Sequence, residues 1–279
     1  MDATRTDGTN SALLTILHTN DFHNRLTEAQ AHRLRLLHDS LGGNGLLLDA
    51  GDAVASGNIT YRPGGEPILQ QMSEIGYAAM TVGNREFHFT RTGFLCKLSL
   101  ASFPVLCANL RLAGRARQSG ASAEADTLLE PETSLQIALP VCPYILLTTP
   151  SGWRVVVLGL TVPMITERML SRKVSSYIFD SPLKTATQLI PQLRRKIAPD
   201  LLIALTHIGI AQDRALADTV PGIDLIVGGH SHVVLEQGEW VGETLIVQAG
   251  ARGSHLGRVE ARRSTPGGGV QLSATLEPL

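Results

Sequence analysis

The chain is 279 residues long, 43% hydrophobic, 18% charged and 4% aromatic. That composition excludes wholesale disorder and a disulfide-stapled miniprotein, and the length holds one large domain or two small ones at roughly 100 to 200 residues each. With 24 basic and 25 acidic side chains the formal net charge is -1, so no global positive field recruits a nucleic acid polymer or an anionic membrane, and an anionic substrate must be held by local chemistry.

Residues 1–11 are polar and lack the basic start and apolar stretch of a secretory signal, so they read as a flexible N-terminal tail. The run 12–18 reads as a first strand that delivers the polar Thr19-Asn20-Asp21-Phe22-His23. A helix is predicted over 28–41, where Leu34, Leu37 and Leu41 recur at helical spacing before Gly42-Gly43 stops it. A buried-type strand over 45–50 ends at Gly51-Asp52, a helix follows over 68–75, and a third strand over 78–82 ends at Gly83-Asn84. This is a βαβαβ progression in which every strand ends in a polar cluster.

Another strand is predicted over 104–109, then a solvated excursion over 111–133. Segments 134–147 and 153–162 read as a β-hairpin about Thr149-Pro150-Ser151-Gly152, and 181–197 as an amphipathic helix kinked at Pro191. Strands are predicted over 201–206 and 223–227, followed by His207 and by Gly228-Gly229-His230-Ser231-His232, and again over 244–248, 257–261 and 270–275. No repeat or linker interrupts this order, so 12–279 is predicted to be a single domain. No apolar run reaches the roughly 18 residues of a membrane span, so no membrane partner is expected. Cys96, Cys107 and Cys142 form no CxxC pair and suit a reducing compartment. Cytoplasmic location is the expectation, and a processed exported protein would fit equally. Oligomeric state is not legible.

The polar clusters at the strand ends are Asp21-Phe22-His23, Gly51-Asp52, Gly83-Asn84-Arg85-Glu86, Thr206-His207 and Gly228-Gly229-His230-Ser231-His232. Ligands of α/β sheets gather at the carboxyl ends of strands, and carboxylate, amide and imidazole recurring there describe a mixed oxygen and nitrogen metal site. Any one cluster alone would more often be an ordinary hydrogen-bonded strand end. Their order and placement carry the reading.

This series of motifs resembles the calcineurin-like metallophosphoesterase superfamily, and the stretches TNDFH, DAGD, THIG and GIDLIVGGHSH resemble the catalytic domain of bacterial 5'-nucleotidases. The resemblance implies a four-layer α/β/β/α sandwich around two divalent metal ions (Mn, Fe, Zn or Co) about 3.5 to 4 Å apart. Carried over by motif, Asp21, His23 and His232 would bind one ion, Asn84, His207 and His230 the other, and Asp52 would bridge them. A water bridging the ions would attack phosphorus in a small phosphorylated substrate, a nucleotide among the candidates. Asn20, Asp49, Glu86 and Asp224 would orient ligands or shape turns.

Two departures from the family follow. Where its Gly-Asn-His-Glu motif carries a His taken to protonate the leaving oxygen, this chain has Arg85, and a guanidinium is not an ordinary general acid. Arg85 is then an electrostatic clamp, or His88 supplies the acid from the same face of a helix beginning at Asn84, or the chain is a weakly catalytic or noncatalytic metal- and phosphate-binding module. The second departure is that nothing after Leu279 matches the separate C-terminal nucleotide-specificity domain of the nucleotidases, which keeps broader phosphate esters and cyclic nucleotides, hydrolysed as by a phosphodiesterase, among the alternatives. A purely structural metal is a third class.

Overall fold

The computed structural model describes residues 13–114, 139–263 and 269–279. In chain order the first half comprises β1 (Leu14–Thr19), α1 (Glu28–Ser40), β2 (Gly45–Asp49), α2 (Pro67–Ile75), β3 (Ala79–Thr81), α3 (Arg91–Leu98), β4 (Val105–Leu106) and β5 (Leu110–Leu112). The hairpin β6 (Tyr144–Thr148) and β7 (Arg154–Thr161) follows, then β8 (Tyr177–Phe179), α4 (Pro182–Ile197), β9 (Leu201–His207), α5 (Ile210–Thr219) and β10 (Leu225–Val227). The chain closes with β11 (Glu239–Val241), β12 (Thr244–Val247), β13 (His255–Arg263) and β14 (Val270–Pro278).

The helix boundaries follow from local chemistry. Thr27 and Gln30 form a reciprocal capping box at the start of α1. Pro67 opens α2, and Gly76 closes it in the left-handed conformation. Ser181 caps α4 by accepting from the Lys184 amide, and the helix runs on through Pro191. The excursion predicted over 111–133 begins instead as strand β5, because Leu110 and its neighbours pair with β8; residues 115–133, like 134–138, lie outside the described residues. Helices α3 and α5 and strands β5, β8 and β11 are additions to the predicted elements. In α5 only Asp213 and Leu216 are buried, too few to mark a helical stripe in the sequence.

Two six-stranded sheets form, ordered β14-β13-β1-β2-β3-β4 and β11-β12-β10-β9-β7-β6. In the first, β1 to β4 run parallel and β13 and β14 add antiparallel on one side; in the second, β12, β10, β9 and β7 run parallel between antiparallel edge strands β11 and β6. Alternation along the strands decides the layers. Leu14 and Ile16 of β1, Val155 and Val157 of β7, and Leu201, Ile203 and Leu205 of β9 meet in one core between the sheets. Their alternates point outward: Leu17 packs with residues of α1, α2 and α3, while Val156, Leu158 and Leu202 pack with α4 and α5. The result is the four-layer α/β/β/α sandwich, and burial on both faces explains why these strands read as continuous apolar runs.

Candidate metal centre

The parallel strands of both sheets end on one side of the sandwich. β1 delivers Asp21 and His23, β2 delivers Asp52, β3 delivers Asn84, β9 ends in His207, and β10 delivers His230 and His232. Their donor atoms converge. His232 Nε2 lies 3.1 Å from Asp21 Oδ1 and 3.3 Å from His23 Nε2, and Asp21 Oδ1 lies 3.7 Å from His23 Nε2. Asn84 Oδ1 lies 3.2 Å from His207 Nε2 and 3.1 Å from His230 Nδ1, while Asp52 Oδ1 is 3.5 Å from His207 Nε2. Donors held about 2.1 Å from one ion would be about 3.0 Å apart at octahedral angles and about 3.4 Å apart at tetrahedral ones. Two groups therefore have metal-ligand dimensions: Asp21, His23 and His232, and Asp21, Asp52 and His207. Asp21 stands in both, so the geometry offers it, as well as Asp52, as a carboxylate between them.

The protonation pattern fits a cation. His207 Nδ1–H donates to the Ala50 carbonyl at 2.7 Å, which fixes the ring and turns its Nε2 toward Asn84 Oδ1 and Asp52 Oδ1. Burial, with repulsion from Arg85 next, lowers the His23 pKa to about 4, and burial lowers that of His230; both rings are thus neutral near pH 7, as ligands must be. Burial pushes the Asp52 carboxyl up to about 7, opposed by the Arg85 N–H it accepts. A dication would supply the charge that this carboxylate lacks. Imidazole, carboxylate and amide oxygen are donors suited to Mn, Fe, Co or Zn.

The backbone is strained here. Of the eight described non-glycine residues with left-handed φ, five are Asp21, His23, Asp52, His230 and His232. L-residues adopt this region rarely, and such positions persist where the surroundings fix them. Those surroundings are hydrogen bonds. Asp21 Oδ2 accepts from Asn20 Nδ2 and the His230 amide at 2.8 and 2.9 Å, which leaves Oδ1 for the site. Glu86 accepts from the amides of Gly83, Asp52 and Val54, tying the loops after β2 and β3 together. Asp49 accepts from Thr19 Oγ1 and the Gly51 amide. At Gly83 a Cβ would lie 2.3 Å from both the amide nitrogen and Oδ1 of Asp52, so only glycine allows this approach.

Two predicted roles need correction. No helix begins at Asn84, because α3 starts only at Arg91, so His88 shares no helical face with Arg85. His88 is 3% exposed, its Nε2–H donates to the Ile59 carbonyl, and its Nδ1 accepts from the Thr90 amide; neither nitrogen is left for a substrate. Asp224, expected among the ligand-orienting residues, sits before β10 at its amino end, where it pairs with Arg194 and accepts from the Leu202 amide. Arg85 does face the cluster: its Nη1 donates to the Ala55 carbonyl at 2.6 Å and its Nε is 3.5 Å from Asp52 Oδ2.

Several supporting residues carry no motif of their own. Gln248 accepts from Ser231 Oγ and the Val233 amide and donates to the Gly229 carbonyl, fixing the loop that bears His230 and His232. Asp213 accepts from Thr206 Oγ1 beside His207. Gln248 is marked in the sequence only as a polar residue ending an apolar strand, and Asp213, between Gln212 and Arg214 in α5, carries no such mark.

With this fold and constellation, the chain belongs to the calcineurin-like metallophosphoesterase superfamily. The chain is 35% identical over 265 residues, 88% of its length, to the trifunctional nucleotide phosphoesterase protein YfkN of Bacillus subtilis, of which it spans 18%. It is 31% identical over 242 residues to a 5'-nucleotidase of Vibrio cholerae, matching 78% of this chain and 40% of that one. Among solved structures, the 5'-nucleotidase precursor of Thermus thermophilus superposes with a TM-score of 0.68 at 25% identity, over 96% of this chain and 55% of the other. The chain is thus a homologue of the 5'-nucleotidases and spans less than half the length of these curated relatives. No family model matches it. Among the described residues, no helix is long and apolar enough to cross a membrane.

Proposed function

We propose that the chain is the catalytic domain of a metal-dependent phosphoric ester hydrolase with nucleotides as its substrate class. The observation that carries the reading is the convergence of seven oxygen and nitrogen donors from five strand ends, with His207 Nε2 turned toward Asn84 and Asp52. Asp21, His23 and His232 would hold one divalent ion, Asn84, His207 and His230 a second, and Asp52 both, with Mn, Fe, Zn or Co as candidates. When bound, such ions acidify water and neutralise phosphate charge.

The chain's own residues supply the rest. The Ala50 carbonyl holds the tautomer of His207, and Asn20 with the His230 amide holds the carboxylate of Asp21. Arg85 offers a fixed positive charge to phosphate oxygens, and Asn84 beside it presents its amide oxygen to the site. The free thiols Cys96, Cys107 and Cys142 support a reducing, cytoplasmic setting. Nitrophenyl phosphate with added Mn2+ tests the function: the protein should hydrolyse it and Asp52→Ala should not. Equal rates in the two proteins would sink the enzyme reading, and elemental analysis of the protein as isolated identifies the metals.

A further inference from the structure

We propose that Arg85 selects substrates by their leaving group, so that the enzyme cleaves phosphoanhydrides, which release a second phosphate, in preference to alkyl phosphate monoesters, which release an alkoxide. The inference rests on the phosphoesterase reading above and narrows its substrate class.

Arg85 is held from several sides. Its amide donates to Asp52 Oδ1 at 2.8 Å, and its Nη1 to the Ala55 carbonyl. Its own carbonyl accepts from Lys97 Nζ, which is fully buried and also donates to the Gly57 carbonyl at 2.7 Å. Lys97 therefore pins the loop after β2 to the loop after β3, with the guanidinium between them. Arg85 Nε is buried without a hydrogen-bond partner, 3.5 Å from Asp52 Oδ2, while the side chain as a whole remains 38% exposed. Among the described residues, one of its five N–H donors is hydrogen-bonded to a protein acceptor, which leaves a planar fork beside the donor cluster.

A guanidinium binds phosphate oxygens bidentately but keeps its proton. The two neighbouring groups with nitrogen-bound protons do not replace it, because His88 and Lys97 are both turned onto backbone carbonyls. An alkoxide leaves slowly without a proton, and general acids contribute roughly 100- to 10,000-fold for such groups. A departing phosphate, with a second pKa of about 6, needs no proton. In anhydride cleavage the water oxygen forms a bond to one phosphorus as the bridging P–O bond breaks. The electron pair stays on the bridging oxygen, which departs as an anionic oxygen of the second phosphate, and the protons of water pass to solvent. Arg85 stabilises the charge that develops on that departing phosphate.

The test measures kcat/KM of the Mn2+-supplied protein on nitrophenyl phosphate, an alkyl monoester such as a nucleoside 5'-monophosphate, and a dinucleoside pyrophosphate, for the protein and for Arg85→His. The anhydride should exceed the alkyl monoester by about 100-fold or more, and Arg85→His should gain at least about tenfold on the alkyl monoester alone, narrowing the gap. Calorimetry with the non-hydrolysable imidodiphosphate should show binding weakened about tenfold or more in Arg85→Met. An alkyl monoester cleaved as fast as the anhydride by the unmutated protein overturns the proposal, as does unchanged imidodiphosphate binding in Arg85→Met. No hydrolysis of any of the three, nitrophenyl phosphate included, overturns the phosphoesterase reading itself.

Discussion

Glu86 is predicted to be the residue on which the site's two halves depend most, although it offers no donor to the cluster. Its Oε2 accepts from the Gly83 and Asp52 amides at 2.8 and 2.9 Å, and its Oε1 from the Val54 amide at 3.1 Å. The carboxyl is fully buried, and burial, then the neighbouring Asp52, raises its pKa. Glu86→Ala strands the amides of three buried residues, and each orphaned buried donor costs about 1 to 3 kcal/mol. Some relaxation and water entry will offset part of this, so a loss of about 3 to 6 kcal/mol is expected, a large share of a typical domain's stability. Glu86→Gln keeps one acceptor oxygen and points an NH2 group at the remaining amides, so it should lose less, about 1 to 3 kcal/mol. Urea unfolding gives both values from the midpoint at constant slope. Isothermal titration with Mn2+ adds the functional readout, since Asp52 and Asn84 lie on the two loops Glu86 joins. Wild-type stability in Glu86→Ala, within about 0.5 kcal/mol, would refute the argument that these three bonds hold the loops.

His18 lies on β1 with its ring over Gly257, where a Cβ would come within 1.9 Å of Nε2. Burial lowers its pKa to about 3 from 6.5, so the unfolded chain binds the proton first. Its contribution is fully present above about pH 6.5 and is lost as pH falls toward 3, at about 1.4 kcal/mol per pH unit. His18→Phe should remove that slope, retaining about 2 kcal/mol more than the unmutated chain between pH 6.5 and 5 in paired denaturation curves. Gly83→Ala should weaken Mn2+ binding about 10- to 100-fold in calorimetry, because the added methyl displaces Asp52. Gly64→Ala, with nothing within 4 Å of the added carbon, serves as the control and should unfold within about 0.5 kcal/mol of the parent.

The sequence alone determined the central strands, because those buried on both faces are continuous apolar runs, as in 45–50 and 201–206, and it determined which polar clusters end them; the short marginal strands β5, β8 and β11 carry no such run. It also exposed Arg85, since a substitution inside a recognisable motif needs no coordinates to be seen. What the sequence could not decide was anything that depends on distance between strands. His88 looked like a substitute acid because three residues span one helical turn; the chain at Asn84 is a turn instead, and the imidazole is consumed by Ile59 and Thr90. Asp224 belongs to a motif-like stretch, yet it precedes its strand, and a strand's two ends are chemically alike in sequence but open to opposite sides of the sheet. Lys97, Asp213 and Gln248 were invisible because their partners are backbone groups 10 to 40 residues away or a hydroxyl. Local pattern records which residues are buried and what chemistry each loop carries. Only tertiary packing decides which lone pairs meet, because that depends on sheet register and on left-handed backbone at Asp21, His23, Asp52, His230 and His232 that no local propensity favours.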